Sequence, residues 1–208
     1  MAATTLLAGD MGGTKTLLAL YGLNGSDLEV LHQQRFTSSE WPSLEPMLQD
    51  FLNNRPEGLA APTHGCIAVA GPVRNRSARI TNLPWHLEER ALAEAATVRQ
   101  LELVNDFGVL IYGLPHFNPT QQVVLQEGRR DSGPVAILGA GTGLGMARGV
   151  PTGHGLMALA SEGGHREFAP RTEEEWQLAC WLKQDLNLDR LSVERIVSGT
   201  GLGHIAHW

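Results

Sequence analysis

Short apolar runs, separated by glycines and polar residues, predict β-strands at the start of the chain. The runs are Thr5–Ala8, Thr16–Tyr21 and Leu28–Phe36. Gly12-Gly13 lies between the first two runs and provides the residues that tight turns prefer. The pattern therefore predicts an antiparallel meander whose first bend is a glycine hairpin.

A helical period replaces the strand pattern after Pro42, which together with Ser43 is typical of a helix start. Apolar side chains then recur every three or four residues as far as Leu52: Leu44, Met47, Leu48 and Phe51. Residues at this spacing lie on one side of a helix. We therefore expect an amphipathic helix that buries this face.

Both strands and helices are predicted in the rest of the chain. The predicted strands are Cys66–Ala70, Leu101–Val104, Val135–Leu138 and Met146–Val150. The predicted helices are Leu87–Ala96, Phe107–Leu114 and a segment from Ser192 to Val197. Pro115 ends the second of these helices, and the connector after it, near His116, predicts a boundary between domains 1–116 and 117–208.

A further helix is predicted after Thr172, because Thr172-Glu-Glu-Glu175 fits a capping box. At helical spacing, Trp176, Ala179 and Cys180 lie on one face of that helix.

Composition indicates a globular protein, with 42% hydrophobic and 18% charged residues. The formal net charge of −6, without any run of Lys and Arg, argues against a nucleic-acid partner. No stretch approaches the roughly 20 apolar residues that span a bilayer, and no signal peptide is recognisable. Cys66 and Cys180 are far apart, so we expect packed, reduced thiols and a cytoplasmic location without membrane association.

The first candidate site is the glycine turn Asp10-Met-Gly-Gly-Thr-Lys15. Backbone N–H groups at Gly12, Gly13 and Thr14 would suit a phosphate, and Asp10 would suit a hydrated Mg²⁺. The motif is not a P-loop, because a strand rather than a helix is predicted to follow it. An ordinary hairpin turn is the alternative, and for this motif alone it is favoured.

The second candidate is Gly139–Gly145, in which four glycines alternate with small residues. It matches G-x-G-x-x-G in no register, so a dinucleotide fold is not indicated. A second phosphate-binding hairpin and a tightly packed turn are the alternatives. Because two glycine hairpins each follow a short apolar strand, together they favour binding of nucleotide phosphates.

Asn105-Asp106 forms a polar pair at the end of a predicted strand. Reacting groups in open α/β folds lie at strand ends, where a carboxylate could accept a hydroxyl proton during phosphoryl transfer. The alternative is that Asp106 is simply the N-cap of the next helix.

Two further polar groups are candidates for binding a polyol. Glu162-Gly-Gly-His165 has the Glu-x-x-His spacing of di-iron sites, but its glycines disfavour the helix that such a site needs. A loop that offers a carboxylate and an imidazole to sugar hydroxyls fits better, and a solvated surface turn is the alternative. For Glu194 the simpler prediction is a favourable interaction with a helix dipole.

Taken in order and spacing, these motifs resemble those of the bacterial glucokinase family. The glycine turns at 10–15 and 139–145 resemble the two phosphate motifs of the actin-like ATPase superfamily. The match to glucokinases adds three segments: Leu103-Val-Asn-Asp-Phe107, Glu162-Gly-Gly-His-Arg-Glu-Phe168 and Val193-Glu-Arg-Ile-Val-Ser-Gly199. The resemblance implies an α/β, ribonuclease H-like fold whose two lobes enclose a cleft.

The resemblance also implies an activity, the phosphorylation of glucose on its 6-hydroxyl by ATP and Mg²⁺, which is the first step of glycolysis. Asp106 then corresponds to the catalytic base. The residues that correspond to sugar ligands are Asn105, Asp106, Glu162, His165 and Glu194. Those that correspond to ATP phosphate ligands are Asp10, Gly12, Gly13, Thr14, Lys15, Gly139, Gly141, Thr142 and Gly143, with Asp10 near the metal. A homodimer of the complete enzyme is compatible with the resemblance.

The chain departs from related sugar kinases and repressors at two points. Ala169-Pro-Arg-Thr-Glu-Glu174 stands where related proteins carry a cysteine-rich zinc motif, so we expect no zinc. The adenosine-binding Gly-Gly motif of the C-terminal third has no counterpart, so we expect a truncated chain with an incomplete second lobe. A non-catalytic sugar-binding module and a kinase for another hexose are therefore alternative functions.

Overall fold

The computed structural model of the protein describes residues 4–25, 27–80, 82–129 and 131–208. The chain divides into two compact units, an N-terminal unit that ends at Val109 and a C-terminal unit that begins at Leu110. This division lies a few residues before the domain boundary expected near His116, which stays a prediction. Among the described residues, no helix is long and apolar enough to cross a membrane.

The N-terminal unit contains eight strands and two helices among its described residues, and a third helix begins at its end. The strands are β1 Thr4–Met11, β2 Lys15–Asn24, β3 Asp27–Thr37, β4 His64–Val69, β5 Val73–Arg74, β6 Ser77–Arg79, β7 His86–Glu88 and β8 Gln100–Asn105. The helices are α1 Leu44–Asn53, α2 Glu89–Ala96 and α3 Asp106–Gly113.

The main sheet of this unit has the strand order β3-β2-β1-β4-β8. The pairs β1–β2 and β2–β3 are antiparallel, which confirms the predicted meander and its glycine hairpin. The pairs β1–β4 and β4–β8 are parallel. The ends of β1, β4 and β8 therefore lie at the same edge of the sheet, where open α/β folds bind ligands.

Helix α1 contributes four fully buried side chains to the core of the N-terminal unit. They are Leu44, Met47, Leu48 and Phe51, the face that the helical spacing predicted. Because such side chains are closely packed, truncating one of them to alanine costs about 2–5 kcal/mol of stability. This helix and its buried face are confirmed.

The helix predicted from Leu87 to Ala96 begins two residues later than expected, at Glu89. Leu87 lies in β7 and pairs with Ala78 of β6, and Glu88 keeps an extended backbone. The composition of this segment favours a helix throughout, but pairing with β6 fixes its first residues as a strand.

The C-terminal unit contains a small antiparallel sheet with the order β11-β10-β9. Its strands are β9 Val135–Ala140, β10 Leu144–Thr152 and β11 Gly155–Ser161, and its later helices are α4 Glu173–Asp185 and α5 Gly199–His207. The two predicted strands are confirmed as β9 and β10. Strand β11, which pairs with β10 on the edge away from β9, was not predicted from the sequence.

Helix α4 begins after Thr172 as predicted, because the Thr172 hydroxyl accepts a hydrogen bond from the N–H of Glu175 at 3.2 Å. The expectation that both cysteines are packed is wrong for Cys180, and the face that the helical spacing indicated is not the buried one. Cys180 is exposed, and Trp176 is 57% exposed. The buried side chains are Leu178, Ala179 and Leu182, which form a small core with Leu191. Two apolar stripes compete on this helix, and the leucine stripe packs against the unit.

The helix predicted from Ser192 to Val197 is reduced to a single 3-10 turn at Val193–Arg195. The regular helix comes later, at α5, where the buried Ser198 hydroxyl accepts a hydrogen bond from the N–H of Gly201 at 2.9 Å. A serine N-cap of this kind fixes where a helix starts. Of the two serines in this segment, Ser198 is therefore the one that starts an α-helix.

Candidate functional site

The first glycine turn joins β1 to β2 and is closed by one backbone hydrogen bond. The N–H of Gly12 donates to the carbonyl of Lys15 over 2.9 Å. Among the described residues, the N–H groups of Gly13 and Thr14 have no protein acceptor. Consecutive N–H groups of this kind form a concavity that binds anions. Asp10 and Lys15 flank the turn with exposed side chains.

Ser38, the residue directly after β3, stabilises this turn through hydrogen bonds. Its fully buried hydroxyl donates to the carbonyl of Gly12 at 3.1 Å and also forms a hydrogen bond with the Thr16 hydroxyl at 3.1 Å. Its N–H donates to the carbonyl of Thr14 at 2.9 Å. Ser38 was not predicted from the sequence, because nothing in the local pattern links a hydroxyl to a turn 26 residues earlier.

Asn105 is the residue that caps helix α3. Its side-chain carbonyl accepts hydrogen bonds from the N–H groups of Phe107 at 3.1 Å and Gly108 at 3.0 Å. The capping role proposed as the simple alternative for Asp106 therefore belongs mainly to its neighbour. Asp106 begins the helix, and its Oδ1 accepts hydrogen bonds from Phe107 N–H at 3.0 Å and Asn105 Nδ2 at 2.9 Å.

Gly71 connects the end of β8 to the loop that follows β4. Its carbonyl accepts a hydrogen bond from Nδ2 of Asn105 at 3.0 Å. Gly71 has a φ of +128°, a backbone conformation that side chains disfavour. In the sequence, Gly71 indicates only the end of a strand, and no local pattern connects it with Asn105, which lies 34 residues later.

Strand register relates Asp106 to the first glycine turn. Asn105 pairs with Val69 in β4, and Val69 pairs with Met11 in β1. Asp106 and Gly12 are the next residues along their parallel strands, and they are separated by two strand spacings, roughly 10 Å. The predicted base and the predicted phosphate turn thus lie at the same edge of one sheet.

The second glycine turn joins β9 to β10 and is closed in a similar way. The N–H of Gly141 donates to the carbonyl of Gly143 over 2.9 Å, and no protein acceptor in the described chain binds the N–H groups of Thr142 and Gly143. The start of α5 holds the turn from outside. Gly199 N–H donates to the Gly141 carbonyl at 2.7 Å, and the Thr200 hydroxyl donates to the Thr142 carbonyl at 3.0 Å.

Gly139 lies in the stem of this hairpin rather than in its turn. It belongs to β9 and pairs with Gly145 of β10. The bend itself consists of residues 141–143, between the end of β9 and the start of β10.

Three predicted sugar-binding side chains form one cluster in the C-terminal unit. Nε2 of His165 lies 3.5 Å from a Glu162 carboxylate oxygen, and Nδ1 of His165 lies 3.8 Å from Oε1 of Glu194. Glu162 and His165 are more than half exposed, at 65% and 55%, whereas Glu194 is 26% exposed. The cluster thus offers carboxylate and imidazole groups at the surface, which can hydrogen-bond a polyol.

Glu194 also contacts the second glycine turn. Its Oε2 accepts a hydrogen bond from the N–H of Leu144 at 3.0 Å. A Cβ atom on Gly143 would collide with the same carboxylate, so this position has no room for a side chain. The helix-dipole role suggested for Glu194 does not fit, because this residue lies in a 3-10 turn and its carboxylate binds the N–H that follows the glycine turn.

The described residues contain no group of three or more His, Cys, Asp and Glu side chains placed to hold a metal ion. Asp10 provides a single exposed carboxylate beside the first turn. Mg²⁺ bound with substrate phosphates commonly takes one or two protein carboxylates and keeps several waters. The donor available at Asp10 fits that mode of binding.

A sequence model of the glucokinase family matches residues 7–208. The glucokinase of Synechocystis sp. is 44% identical over 209 residues, which cover 96% of this chain and 59% of that protein. The glucokinase of Nostoc sp. is 42% identical over 203 residues, which cover 96% of this chain and 58% of that protein. The chain thus spans less than two thirds of the length of these curated relatives.

Solved glucokinase structures share the fold. The crystal structure of a glucokinase from an Antarctic psychrotroph superposes with a TM-score of 0.82 at 31% identity, covering 97% of this chain and 62% of that one. The glucokinase of Balamuthia mandrillaris, solved in complex with glucose, is 22% identical with a TM-score of 0.69, which shows likeness of fold. The α/β fold predicted from the resemblance to actin-like ATPases is confirmed.

Proposed function

The chain belongs to the glucokinase family, and from this premise we propose that the protein transfers the γ-phosphoryl group of ATP to the 6-hydroxyl of glucose. The products are glucose 6-phosphate and ADP. The observation that carries the proposal is that Asp106 lies at the same sheet edge as the turn at Gly12-Gly13. A base and a phosphate-binding turn at one edge are the parts that such a transfer requires.

Asp106 acts as the general base in this proposal. Its carboxylate is held by Asn105 Nδ2 and by the N–H of Phe107, so its orientation is defined before a sugar binds. The carboxylate takes the proton of the 6-hydroxyl as that oxygen forms a bond to the γ-phosphorus. The bond from the γ-phosphorus to the β,γ-bridging oxygen breaks, and ADP leaves.

The two glycine turns bind the phosphates of ATP. Each turn is closed by its own hydrogen bond and leaves two successive N–H groups without a protein acceptor among the described residues, at 13–14 and at 142–143. Such donors stabilise negative charge that develops on phosphate oxygens. Asp10 would hold Mg²⁺ through water, and the bound ion would neutralise phosphate charge.

The cluster of Glu162, His165 and Glu194 binds the sugar. Carboxylates accept hydrogen bonds from hydroxyls, and a neutral imidazole can donate one and accept another. This set is suited to several neighbouring hydroxyls on one ring, and the choice of glucose follows from the family.

The same proposal assigns the protein to the cytoplasm, where ATP is available and where thiols such as Cys66 and Cys180 remain reduced. The proposal also includes a homodimer of the complete enzyme, which gel filtration can test by measuring its molecular mass.

A coupled assay tests the proposed reaction directly. The purified protein is mixed with ATP, Mg²⁺ and glucose, and glucose 6-phosphate is detected by the reduction of NADP⁺ in the presence of its dehydrogenase. Mannose, fructose and N-acetylglucosamine serve as competing hexoses, with ADP formation as a second readout. Turnover with glucose at the highest kcat/KM supports the proposal. Binding of glucose by calorimetry without any ADP formation would instead favour the sugar-binding module.

A further inference from the structure

Glu194 contacts both the second glycine turn and the proposed sugar cluster, one with each of its carboxylate oxygens. Oε2 accepts the N–H of Leu144, the residue directly after the second glycine turn, at 3.0 Å. Oε1 lies 3.8 Å from Nδ1 of His165, in the proposed sugar cluster. Among the described side chains, that of Glu194 alone forms a hydrogen bond with the backbone of residues 141–144 while lying beside His165 or Glu162.

The segment that carries Glu194 is fixed by the backbone next to the sugar cluster. Val193 N–H donates to the carbonyl of Arg166 at 2.9 Å, and Phe168 N–H donates to the carbonyl of Leu191 at 2.8 Å. Ser192 is 9% exposed. The backbone that carries Glu194 is therefore fixed to the segment that follows His165, and the carboxylate is left as the part that a ligand can order.

Two groups at the start of α5 also hold the glycine turn, and in the described chain their hydrogen bonds are to the turn and not to the cluster. These are Gly199 N–H and the Thr200 hydroxyl, bound to the carbonyls of Gly141 and Thr142. They fix the position of the turn, but they do not take part in the proposed binding of the sugar. Glu194 can respond to a bound sugar, because it contacts both Leu144 and His165.

On the basis of the proposed function, we propose that Glu194 couples sugar binding to the phosphate affinity of the second glycine turn. A hexose hydroxyl that donates to Oε1 orders the carboxylate, and the ordered carboxylate fixes the Leu144 N–H. The adjacent N–H groups of Thr142 and Gly143 are then held in the geometry that a phosphate needs. The ligand that binds second does not have to order this contact again, so the coupling is favourable.

Coupling of this kind is reciprocal and can be measured at equilibrium. If glucose raises the affinity for the nucleotide by some factor, the nucleotide raises the affinity for glucose by the same factor. We expect a factor of about five or more in the wild-type protein, the lower end of typical coupling. The probe is a non-hydrolysable ATP analogue with Mg²⁺, titrated by calorimetry with and without saturating glucose.

Glu194→Asp is the test variant, because a side chain shorter by one methylene cannot reach both Leu144 and His165. Its coupling factor is expected to fall below about two. Glu162→Gln is the control on the sugar side and weakens glucose binding with the coupling unchanged. Thr200→Val is the control on the turn side and weakens nucleotide binding with the coupling unchanged.

The amide signal of Leu144 gives a second, independent measurement. In protein labelled with ¹⁵N-leucine, glucose alone is expected to shift this resonance in the wild type and in Thr200→Val but not in Glu194→Asp. If the Asp variant no longer binds glucose, the wild-type and Thr200→Val spectra still decide the question. If glucose does not shift the Leu144 amide resonance of the wild-type protein, the proposal is overturned.

The remaining outcomes separate this inference from the proposed function. A wild-type coupling factor near one, with glucose and nucleotide both bound, overturns the coupling but leaves the kinase intact. The same holds if Glu194→Asp keeps the full factor or if Glu162→Gln loses it. Failure of the wild type to bind or phosphorylate glucose would count against the function itself.

Discussion

Asn105 donates a hydrogen bond from Nδ2 to Oδ1 of Asp106 across 2.9 Å while its side-chain carbonyl caps the helix that Asp106 begins. The amide of Asn105 therefore has two separable duties. Its oxygen holds the first N–H groups of α3, and its nitrogen connects Asp106 to the carbonyl of Gly71. The role of Asn105 as a sugar ligand stays a prediction.

Substitutions at Asn105 can separate these duties. Aspartate caps helices about as well as asparagine but has no N–H to donate, whereas alanine lacks both functions. We expect Asn105→Ala to lose about 1 kcal/mol of stability through the lost cap. Asn105→Asp keeps the cap but should lose about 1–3 kcal/mol, because it places an acceptor oxygen where Nδ2 donates to Asp106 and Gly71. Both variants should lose kcat by at least about tenfold if orienting Asp106 matters. Urea denaturation and the coupled assay measure the two effects, and an Asp variant with full kcat would exclude the orienting role.

Asp106→Asn tests the base itself. The amide retains the size of the carboxyl group and cannot take a proton, so kcat is expected to fall by about 10²–10⁴ with little change in glucose affinity. Calorimetry measures glucose binding, and the coupled assay measures turnover. Glu102→Gln is the matched control, because Glu102 is an exposed carboxylate on β8, the strand that precedes Asp106, and it hydrogen-bonds only with Gln100 among the described residues. An Asn variant with near-normal kcat would remove Asp106 from the mechanism.

Local patterns predicted the elements around this site well. The hairpin at Gly12-Gly13 follows from two apolar runs and the turn residues between them, and helix α1 follows from a four-residue apolar face. Both features depend on neighbours within a few residues, which a sequence displays directly. The family motifs then identified Asp106, Glu162, His165 and Glu194 as candidates.

Contacts between distant segments could not be predicted in this way. Ser38 supports a turn on another strand, and Gly71 holds the side chain of Asn105 from 34 residues away. For helix α4, two apolar stripes with equal helical spacing compete, and only packing against Leu191 decides that Leu178 and Leu182 are buried. In each case the deciding partner comes from a different part of the chain.

The two cysteines should differ in reactivity with thiol reagents. Burial raises the pKa of the Cys66 thiol above its ordinary value, and the negative charges of Glu102 and Glu89 act in the same direction. Because the thiolate is the reactive form, Cys66 should react slowly near pH 7.5 and faster as the pH rises. The exposed Cys180 should react first.

Dithionitrobenzoate kinetics measured at several pH values on wild-type, Cys66→Ala and Cys180→Ser protein test this order. The Cys180→Ser variant should show the slow phase alone. A raised pKa in the folded state also means that the unfolded chain loses the proton of Cys66 first as the pH rises. The free energy of unfolding should therefore decline in the alkaline range, and less steeply in Cys66→Ala. Equal rates for both thiols would contradict the burial of Cys66.

Gly143→Ala tests the contact between the second glycine turn and Glu194. A Cβ at this position would overlap Oε2 of Glu194 and lie 3.0 Å from its Cδ, so the carboxylate must move away from Leu144. Gly141→Ala is the matched control in the same turn, because its Cβ would have no atom within 4 Å. If Glu194 binds the sugar, the displaced carboxylate loses a hydrogen bond to glucose, worth about 1.5–3 kcal/mol for a charged group, so glucose binding should weaken roughly tenfold or more in Gly143→Ala.

Calorimetric titration of both alanine variants with glucose, without nucleotide, makes the comparison independent of phosphate binding. Gly141→Ala should bind glucose as the wild type does, since its added methyl group displaces no side chain of the cluster. If Gly143→Ala also keeps wild-type affinity, Glu194 must bind the sugar without its Leu144 contact. If both variants weaken equally, the effect comes from stiffening the turn and not from the displaced carboxylate, because of the two added methyl groups only the one at 143 meets Glu194.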